Sequence, residues 1–206
     1  MNILMLGATG RVGSEVVNYA LGDGHKVTAL VRTPEKIQLK NENLTIIKGN
    51  VLNKEDIAGA IQGIDVVISA LGTDGTTTLS ESMPHIIEMM EKESVLRIIT
   101  VGTAGILQSR TSPELLRYQS SESKRKLTRA AEEHHKVYDL LKNSILQWTI
   151  VCPTYLPDGA RLGQYRVERD YLPVDGVKIH VPDAAQFTYK QITSNEFINS
   201  RVGIAY

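Results

Sequence analysis

The feature that most constrains the fold is a glycine pattern near the start of the chain, Gly7-Ala8-Thr9-Gly10-Arg11-Val12-Gly13. It directly follows the apolar run Ile3–Leu6 and opens a stretch with helical apolar spacing, Val12–Leu21. Glycines at a strand-to-helix junction permit a tight turn, a close approach of the backbone to a phosphate, and close packing of helix on strand. The exposed amides and the positive end of the helix dipole favour a bound phosphate group. The pattern therefore predicts a βαβ unit with a phosphate-binding loop, the alternative being a glycine-rich turn without a ligand.

Short apolar runs rich in β-branched residues alternate with helical patterns along the rest of the chain. After the first strand, buried strands are predicted at Val27–Val31, Leu44–Lys48, Val66–Ser69, Arg97–Val101 and Trp148–Cys152. After the first helix, helices are predicted at Lys54–Gln62, Thr78–Glu93, about Ser120–Lys142 and Pro182–Ile192. This alternation is typical of an α/β fold with a doubly wound parallel sheet of the Rossmann type. Ligands of such sheets bind outside the carboxyl ends of the strands.

The length of 206 residues suits one domain, and we expect residues 1–206 to form a single Rossmann-like domain. The region Pro153–Val181 departs from the regular pattern because it contains several prolines and glycines. We predict that it forms a small C-terminal excursion that faces the substrate. A short closing strand is predicted at Val202–Tyr206.

Charge and composition exclude several classes of protein. The 23 Lys and Arg residues balance 23 Asp and Glu residues, whereas broad nucleic-acid binding usually requires a basic excess. The local basic run Lys124-Arg125-Lys126 is interpreted as the solvated face of a helix. No apolar stretch approaches the roughly 20 residues of a membrane span, and the single cysteine, Cys152, rules out an intrachain disulfide. We expect a cytoplasmic protein that binds small molecules and neither nucleic acid nor membrane.

The end of the second predicted strand distinguishes between two nicotinamide cofactors. Sites for NAD usually carry Asp or Glu here, to bind the ribose 2′-hydroxyl. This chain has Arg32 instead, and a guanidinium suits the 2′-phosphate of NADP. Lys36 follows closely, and Arg11 could approach from the other side. The sequence therefore predicts NADP, as NADPH, as the preferred cofactor, with NAD possible; the alternative is that Arg32 only ends a strand at the surface.

The motifs GATGRVG, VRTPEK, KGNVL, VISALGT, TVGTAGIL and QWTIVCPTYL together resemble those of the atypical short-chain dehydrogenase/reductases. Within that group the chain is similar to the NmrA-like NAD(P)-binding proteins, and most similar to the flavin reductase / biliverdin-IXβ reductase type. The resemblance extends over nearly the whole chain. It implies a reductase that transfers hydride from NAD(P)H to a flavin or similar conjugated acceptor. The flavin would be a substrate and not a bound prosthetic group.

The resemblance also implies roles for individual residues. Those that would contact the cofactor's pyrophosphate are Gly7, Thr9, Gly10, Arg11 and Val12, and those for the 2′-phosphate are Arg32 and Lys36. Asn50, where the family more often has Asp, and Val51 would border the adenine. The residues after the fourth strand, Leu71, Gly72 and Thr73, would line the ribose, and Pro153 and Thr154 would flank the nicotinamide. Thr103, at the position of a family serine, and Tyr155, which replaces a family histidine, are the candidates for positioning the acceptor.

Carbonyl-reducing short-chain dehydrogenases use a Tyr-x-x-x-Lys pair in which the tyrosine donates a proton. The chain contains one literal match, Tyr138 with Lys142, which we interpret as packing at a helix end. The family places its pair near Ala130 and His134, and neither is of the expected type. Hydride transfer to a flavin needs less help from a side-chain acid, because the conjugated acceptor delocalises the electrons.

Two other functions remain open from the sequence. One is a non-enzymatic redox sensor of the NmrA-like type, which would bind NADP and report to a protein partner. The other is a sugar-nucleotide isomerase or epimerase, which is disfavoured because such enzymes usually use the Tyr/Lys pair and a larger second domain. No metal site is expected: Glu132 and His135 have the spacing for two ligands, but two are too few. We interpret Glu132–His135 as a solvated helix face.

Overall fold

The computed structural model describes residues 1–73, 75–123 and 127–206. These residues form one eight-stranded sheet with helices on both faces. The strands are β1 (Asn2–Leu6), β2 (Lys26–Val31), β3 (Leu44–Lys48), β4 (Val66–Ser69), β5 (Arg97–Val101), β6 (Gln147–Pro153), β7 (Arg166–Arg169) and β8 (Ser200–Ala205). The α-helices are α1 (Arg11–Gly22), α2 (Lys54–Ala60), α3 (Thr78–Lys92), α4 (Arg129–Lys142) and α5 (Val181–Lys190). The six strands predicted for the first part of the chain and the closing strand are confirmed. The expectation that all six are buried was wrong for β3, which lies at the sheet edge and has no buried residue.

The strand order is β3-β2-β1-β4-β5-β6-β8-β7, and every neighbouring pair is parallel apart from β7 with β8. Side chains alternate between the two faces because successive residues of a strand point in opposite directions. Leu4 of β1 therefore belongs to the core layer that also contains residues of α2, α3 and α4, whereas Ile3 belongs to the layer that contains residues of α1 and α5. Both side chains are almost completely buried. The doubly wound Rossmann-like sheet expected from the sequence is confirmed.

The change of winding direction fixes where a ligand can bind. The chain runs outward from β1 through β2 to β3, then returns to β4 on the other side of β1. The connections after β1 and β4 consequently diverge and leave a crevice at the carboxyl ends of the strands. The glycine pattern after β1 lies at this crevice.

The sequence pattern did not predict β7, which lies within the irregular region Pro153–Val181. Its four residues, Arg-Val-Glu-Arg, are largely exposed and carry three charges, so they lack the apolar signature of a buried strand. They form a strand because they pair antiparallel with β8, with Val167 opposite Ile204. The predicted excursion thus contains an edge strand of the main sheet.

The predicted helix from about Ser120 was too long, since α4 begins at Arg129. Residues 121–122 instead form a turn that is held by tertiary contacts. The Glu122 carboxylate accepts hydrogen bonds from the amides of Arg110 and Thr111 and pairs with Arg117 at 2.8 Å. These bonds to an earlier segment outweigh local helix propensity. The basic run 124–126 lies outside the described residues.

None of the helices in the described part of the chain combines the length and the apolarity needed to cross a bilayer.

Candidate functional site: two pockets at the carboxyl edge of the sheet

The loop after β1 shows why glycine occupies two of its positions. Gly7 has a positive φ of 85°, and a Cβ there would lie 2.5 Å from the carbonyl oxygen of Ala70. A Cβ on Gly13 would lie 2.1 Å from the carbonyl oxygen of Gly7. Gly7 therefore permits the tight turn beside β4, and Gly13 allows α1 to approach the loop closely.

The first turn of α1 presents amide groups towards the crevice. Gly10 precedes the helix, and its carbonyl oxygen accepts the amide of Ser14 at 2.9 Å. Amides in the first turn of a helix have no intrahelical acceptor, and the helix dipole makes this end positive. Gly10 has no side-chain oxygen that could cap them. The loop is therefore suited to hold an anionic group such as a pyrophosphate.

A first pocket, here called the phosphate-loop pocket, opens beside this turn. Residues from the ends of β1, β2, β3 and β4 and the start of α3 line it: Gly7, Thr9, Leu30, Val31, Arg32, Gly49, Val51, Leu71, Gly72, Thr76 and Thr78. Six of these are residues that the sequence predicted for cofactor binding: Gly7, Thr9, Arg32, Val51, Leu71 and Gly72. The structure thus brings together residues from four strand ends that lie far apart in the sequence.

The sequence reasoning missed five residues of this pocket. Leu30, Val31 and Gly49 lie at strand ends, so the rule that ligands bind at the carboxyl edge could have identified them. A Cβ on Gly49 would lie 2.7 Å from Cδ1 of Leu30, which explains the glycine at the end of β3. Thr76 and Thr78 line the pocket because α3 begins beside it. No local sequence pattern predicts that the start of α3 lies at the pocket.

Arg32 lies at the exposed end of β2 and contributes the cationic side chain of the phosphate-loop pocket. Within the described part of the chain, no carboxylate forms an ion pair with it. Lys36 ends the short 3₁₀ turn Pro34–Lys36 that follows, and it is exposed outside the pocket lining.

Three other predicted cofactor residues have more specific local roles. The Asn50 amide oxygen accepts a hydrogen bond from the amide of Leu52 at 3.1 Å, so it already stabilises the turn after β3. Val12 belongs to α1, and its side chain is buried between the helix and the sheet. Only its backbone can therefore contact a ligand at the loop. The Thr73 carbonyl oxygen accepts the amide of Thr76 at 2.6 Å.

Arg11 is directed away from the phosphate-loop pocket. Its guanidinium donates to the Asp158 carboxylate at 3.0 Å and to the Leu156 carbonyl oxygen at 3.1 Å. Both acceptors belong to the segment that follows β6. The first turn of α1 is therefore joined to the excursion.

A second pocket, here called the β5–β6 pocket, lies where these two strands end. It is lined by Thr103, Ala104, Gly105, Arg117, Tyr118, Glu122, Ser123, Leu127, Thr128, Ala130, Ala131, Thr154, Tyr155, Gly176 and Val177. The structure thus brings together three predicted residues, Thr103, Thr154 and Tyr155. Pro153, also predicted, is buried within β6 and does not line this pocket.

Thr103 both lines the β5–β6 pocket and stabilises the local backbone. Its hydroxyl oxygen accepts the amide of Gly105 at 3.4 Å, at the start of the 3₁₀ turn Ala104–Ile106. Tyr155 is 59% exposed, so its ring lies at the pocket rim and not in the core. The Thr154 hydroxyl donates to the Val177 carbonyl oxygen at 3.3 Å.

The sequence reasoning did not single out Tyr118, a further polar residue of the β5–β6 pocket. It belongs to the 3₁₀ turn Arg117–Gln119, and its hydroxyl lies 2.9 Å from Nδ1 of His135 on α4. No motif identifies this pair, because the two residues come from different elements and meet only through the packing of α4.

The literal Tyr-x-x-x-Lys match lies outside both pockets. The Tyr138 ring packs edge-on against Trp148, with centroids 5.7 Å apart, and the guanidinium carbon of Arg201 lies 4.4 Å from its centroid. Nζ of Lys142 lies 5.8 Å from the same ring. Tyr138 has the packing role that was expected. Ala130, near which the resemblance places the catalytic tyrosine, lines the β5–β6 pocket instead.

The interpretation of Glu132–His135 as a solvated face was wrong for part of that face. The Glu133 side chain is only 3% exposed; it pairs with Lys136 at 2.7 Å and accepts the amide of Ser80 at 3.4 Å. Burial lowers the pKa of His134 to about 4. The reason is that α4 packs tightly against α3. Among residues 1–73, 75–123 and 127–206, His, Cys, Asp and Glu side chains form no group of three suited to a metal ion.

Comparisons with known proteins agree with this geometry. Residues 7–195 match the model of a family described as NAD(P)H-binding. A solved structure from Bacteroides thetaiotaomicron, provisionally named an epimerase, is 31% identical with a TM-score of 0.86; the match covers all of this chain and 96% of that one. A structure from Streptococcus pneumoniae, provisionally named an NADH-flavin reductase, is 26% identical with a TM-score of 0.79, covering 100% and 99%. The uncharacterised protein YwnB of Bacillus subtilis is 29% identical over 180 residues, 85% of this chain and 83% of that protein.

Proposed function

Because this chain belongs to the NAD(P)H-binding family, as its sequence predicted, we propose that it is an NADPH-dependent reductase of a flavin or similar conjugated acceptor. The observation that carries the proposal is the pair of pockets at one edge of the sheet. The phosphate-loop pocket contains the anion-binding turn and Arg32, and the β5–β6 pocket contains Thr103, Thr154 and Tyr155. A dinucleotide that extends along this edge would bring its nicotinamide to the second pocket.

The residues present fit such a cofactor. The loop cradle exists because Gly7 and Gly13 carry no Cβ, and the amides of α1 suit the pyrophosphate. Val51 is apolar and almost buried, which suits the face of an adenine ring. Arg32 supplies the charge and the planar donor fork that favour a 2′-phosphate over a 2′-hydroxyl. NADPH preference rests on this residue, although the Streptococcus neighbour is named for NADH.

The chemistry assigned to the protein is mainly positioning. When bound, the nicotinamide supplies the hydride, and this chain holds the acceptor beside it and limits the access of water. Thr103 and Tyr155, which both line the β5–β6 pocket, are the side chains proposed to orient the acceptor. Epimerase chemistry is disfavoured for this chain because the Tyr138–Lys142 pair lies outside both pockets.

The test is a turnover assay with purified protein. NADPH or NADH is mixed with FMN, FAD or riboflavin, and the loss of reduced-nicotinamide absorbance is followed. Flavin-dependent oxidation that is faster with NADPH supports the proposal. Tight NADPH binding without turnover of any acceptor contradicts it and favours a redox sensor that acts through a protein partner.

A further inference from the structure

The β5–β6 pocket lacks a tyrosine at the helix position where the resemblance places one, and a tyrosine from another segment stands in the same pocket. Ala130 of α4 lines the pocket with a methyl group. Tyr118, from the turn before α4, also lines it and carries a phenolic hydroxyl. The lining of the pocket therefore includes a residue whose side chain can donate a proton, although the Tyr-x-x-x-Lys pair lies elsewhere.

The Tyr118 ring packs against the hydrophobic core and edge-on against the His135 ring, with centroids 5.8 Å apart. It is half-buried, and its Cβ lies 3.5 Å from the point where a Cβ on Gly105 would stand. The same point lies 3.0 Å from Cβ of Ala131, so the glycine lets the turn, the tyrosine and α4 come together. A ring held in this way keeps its hydroxyl in one place, as a catalytic acid requires.

The Tyr118 hydroxyl is part of a hydrogen-bonded chain. It lies 2.9 Å from Nδ1 of His135, and the amide nitrogen of the Gln119 side chain donates to it at 3.3 Å. On the other side of the imidazole, Nε2 lies 3.6 Å from the Asp139 carboxylate. The His135 side chain is 28% exposed, so solvent protons can reach it. These hydrogen-bonded groups connect Tyr118, a residue of the pocket lining, through His135 to the protein surface.

We propose that Tyr118 donates the proton that accompanies hydride transfer in the β5–β6 pocket, and that His135 resupplies that proton. The inference rests on the proposed reductase function. The hydride carries both electrons from the reduced nicotinamide to the acceptor. The O–H bond of Tyr118 breaks as a new bond forms between that proton and an oxygen or nitrogen of the acceptor. A proton from Nδ1 of a protonated His135 restores the hydroxyl, and solvent reprotonates the imidazole. The acceptor class is therefore a conjugated carbonyl or a conjugated ring nitrogen.

His135 is needed because Tyr118 alone is a weak acid. Burial, with smaller contributions from Glu132 and Asp139, raises the pKa of the Tyr118 hydroxyl above its usual range. A free tyrosinate is therefore costly, and the proton must be replaced as it leaves. The titratable groups that face His135 are Tyr118 from the preceding turn and Asp139 and Tyr138 from α4.

The first experiment compares Tyr118→Phe with Tyr165→Phe, the same substitution on a tyrosine that lines neither pocket and packs against Phe187. We expect Tyr118→Phe to lower kcat by about ten- to a hundredfold, since general acids contribute roughly 10²–10⁴ and water replaces part of that. The KM for NADPH should stay unchanged, and the solvent isotope effect on kcat should change. Tyr165→Phe should keep the wild-type values. An unchanged kcat in Tyr118→Phe would overturn the inference and leave the reductase function standing.

The second experiment tests His135 as a positioning residue with a double-mutant cycle. His135→Asn should lower kcat by a factor similar to that of Tyr118→Phe with an unchanged KM for NADPH, and the double variant should be no slower than Tyr118→Phe, because both residues act on one proton. Losses that multiply in the double variant would count against the relay. Histidine NMR of the cofactor-free protein gives a readout independent of turnover. The Nδ1 resonance of His135 should shift in Tyr118→Phe, and an unmoved resonance would contradict the hydrogen bond. Absence of any wild-type turnover would instead refute the proposed function itself.

Discussion

Arg11 donates a hydrogen bond to the Asp158 carboxylate at 3.0 Å, and through this ion pair the first turn of α1 is joined to the segment after β6. The same guanidinium is the one that the sequence resemblance assigns to the cofactor's pyrophosphate. A bound phosphate and Asp158 would therefore compete for one cation. Both side chains are largely exposed, at 58% and 82%, so the pair is weak enough to be exchanged.

Asp158→Asn should tighten NADPH binding. Removing the carboxylate frees Arg11 from an exposed ion pair worth about 0.2–1 kcal/mol, which corresponds to at most about a fivefold lower Kd. Titration calorimetry measures the change, and Glu91→Gln on the exposed face of α3 serves as a charge-matched control. Weaker binding by Asp158→Asn would mean that the ion pair supports the site by holding the excursion in place.

Arg32→Ala should weaken NADPH binding and have little effect on NADH binding. A charged hydrogen bond to the 2′-phosphate contributes roughly 1.5–3 kcal/mol, so the Kd for NADPH should rise about ten- to a hundredfold. Lys48→Ala, at the exposed end of β3, removes a similar charge outside the pocket lining and should leave both affinities unchanged. An equal rise in the Kd for NADPH and for NADH would show that Arg32 does not bind the 2′-phosphate.

Gly13→Ala should destabilise the protein, whereas Gly22→Ala should not. A Cβ on Gly13 would lie 2.1 Å from the Gly7 carbonyl oxygen, and one on Gly22, in the same helix, would meet nothing within 4 Å. We expect Gly13→Ala to lower the free energy of unfolding by about 1–3 kcal/mol, as overpacking does. Gly22→Ala should be neutral or raise it by up to about 1 kcal/mol. Urea unfolding curves of the two variants make the comparison.

Asp183→Asn should destabilise the protein near neutral pH. The fully buried Asp183 carboxylate accepts the amides of Leu162 and Gly163 at 2.8 Å and the Tyr206 hydroxyl at 2.6 Å. Burial alone would raise the pKa of Asp183, but these hydrogen bonds outweigh it and hold the pKa below its usual range. Losing the charged acceptor should cost about 1.5–3 kcal/mol.

The pH dependence of that loss has a definite sign. Since the folded-state pKa of Asp183 is lowered, its charge stabilises the protein above the usual aspartate pKa, and this contribution disappears as the pH falls through the folded-state value. Urea unfolding across acidic pH should therefore show wild type and Asp183→Asn converging only at the acidic end. A difference that stays constant down to that end would show that the charge is not the cause.

Cys152 should be unreactive towards thiol reagents in the folded protein. Burial raises the pKa of its thiol to about 12, and the side chain is completely buried in β6. The thiolate, which is the reactive form, is then scarce at neutral pH. A colorimetric thiol assay should detect Cys152 only after addition of denaturant. Rapid reaction of the native protein would show that β6 opens readily.

Much of the fold follows from local sequence patterns, because these patterns record burial. The strands β1, β2, β4, β5 and β6 are runs of mostly buried apolar residues, whereas β3 is a half-buried edge strand. Each of the six was predicted to within two residues at its ends. The glycine loop was equally readable, since Gly7 and Gly13 occupy positions where any side chain would collide with the backbone. Arg32 was predicted because it directly follows β2, whereas Val51, three residues after β3, was implied by the family resemblance.

The tertiary structure decided what depends on residues that are distant in sequence. The strand β7 exists only because β8 offers it a partner, and its own exposed, charged residues give no sign of it. Glu133 is buried because α3 packs against α4, and Tyr118 meets His135 because a turn folds back onto that helix. The sequence thus determined the strands β1 to β6 and the glycine loop, whose requirements lie within a few neighbouring residues. The composition of the β5–β6 pocket, which side chains from several elements build together, was decided only by how those elements pack.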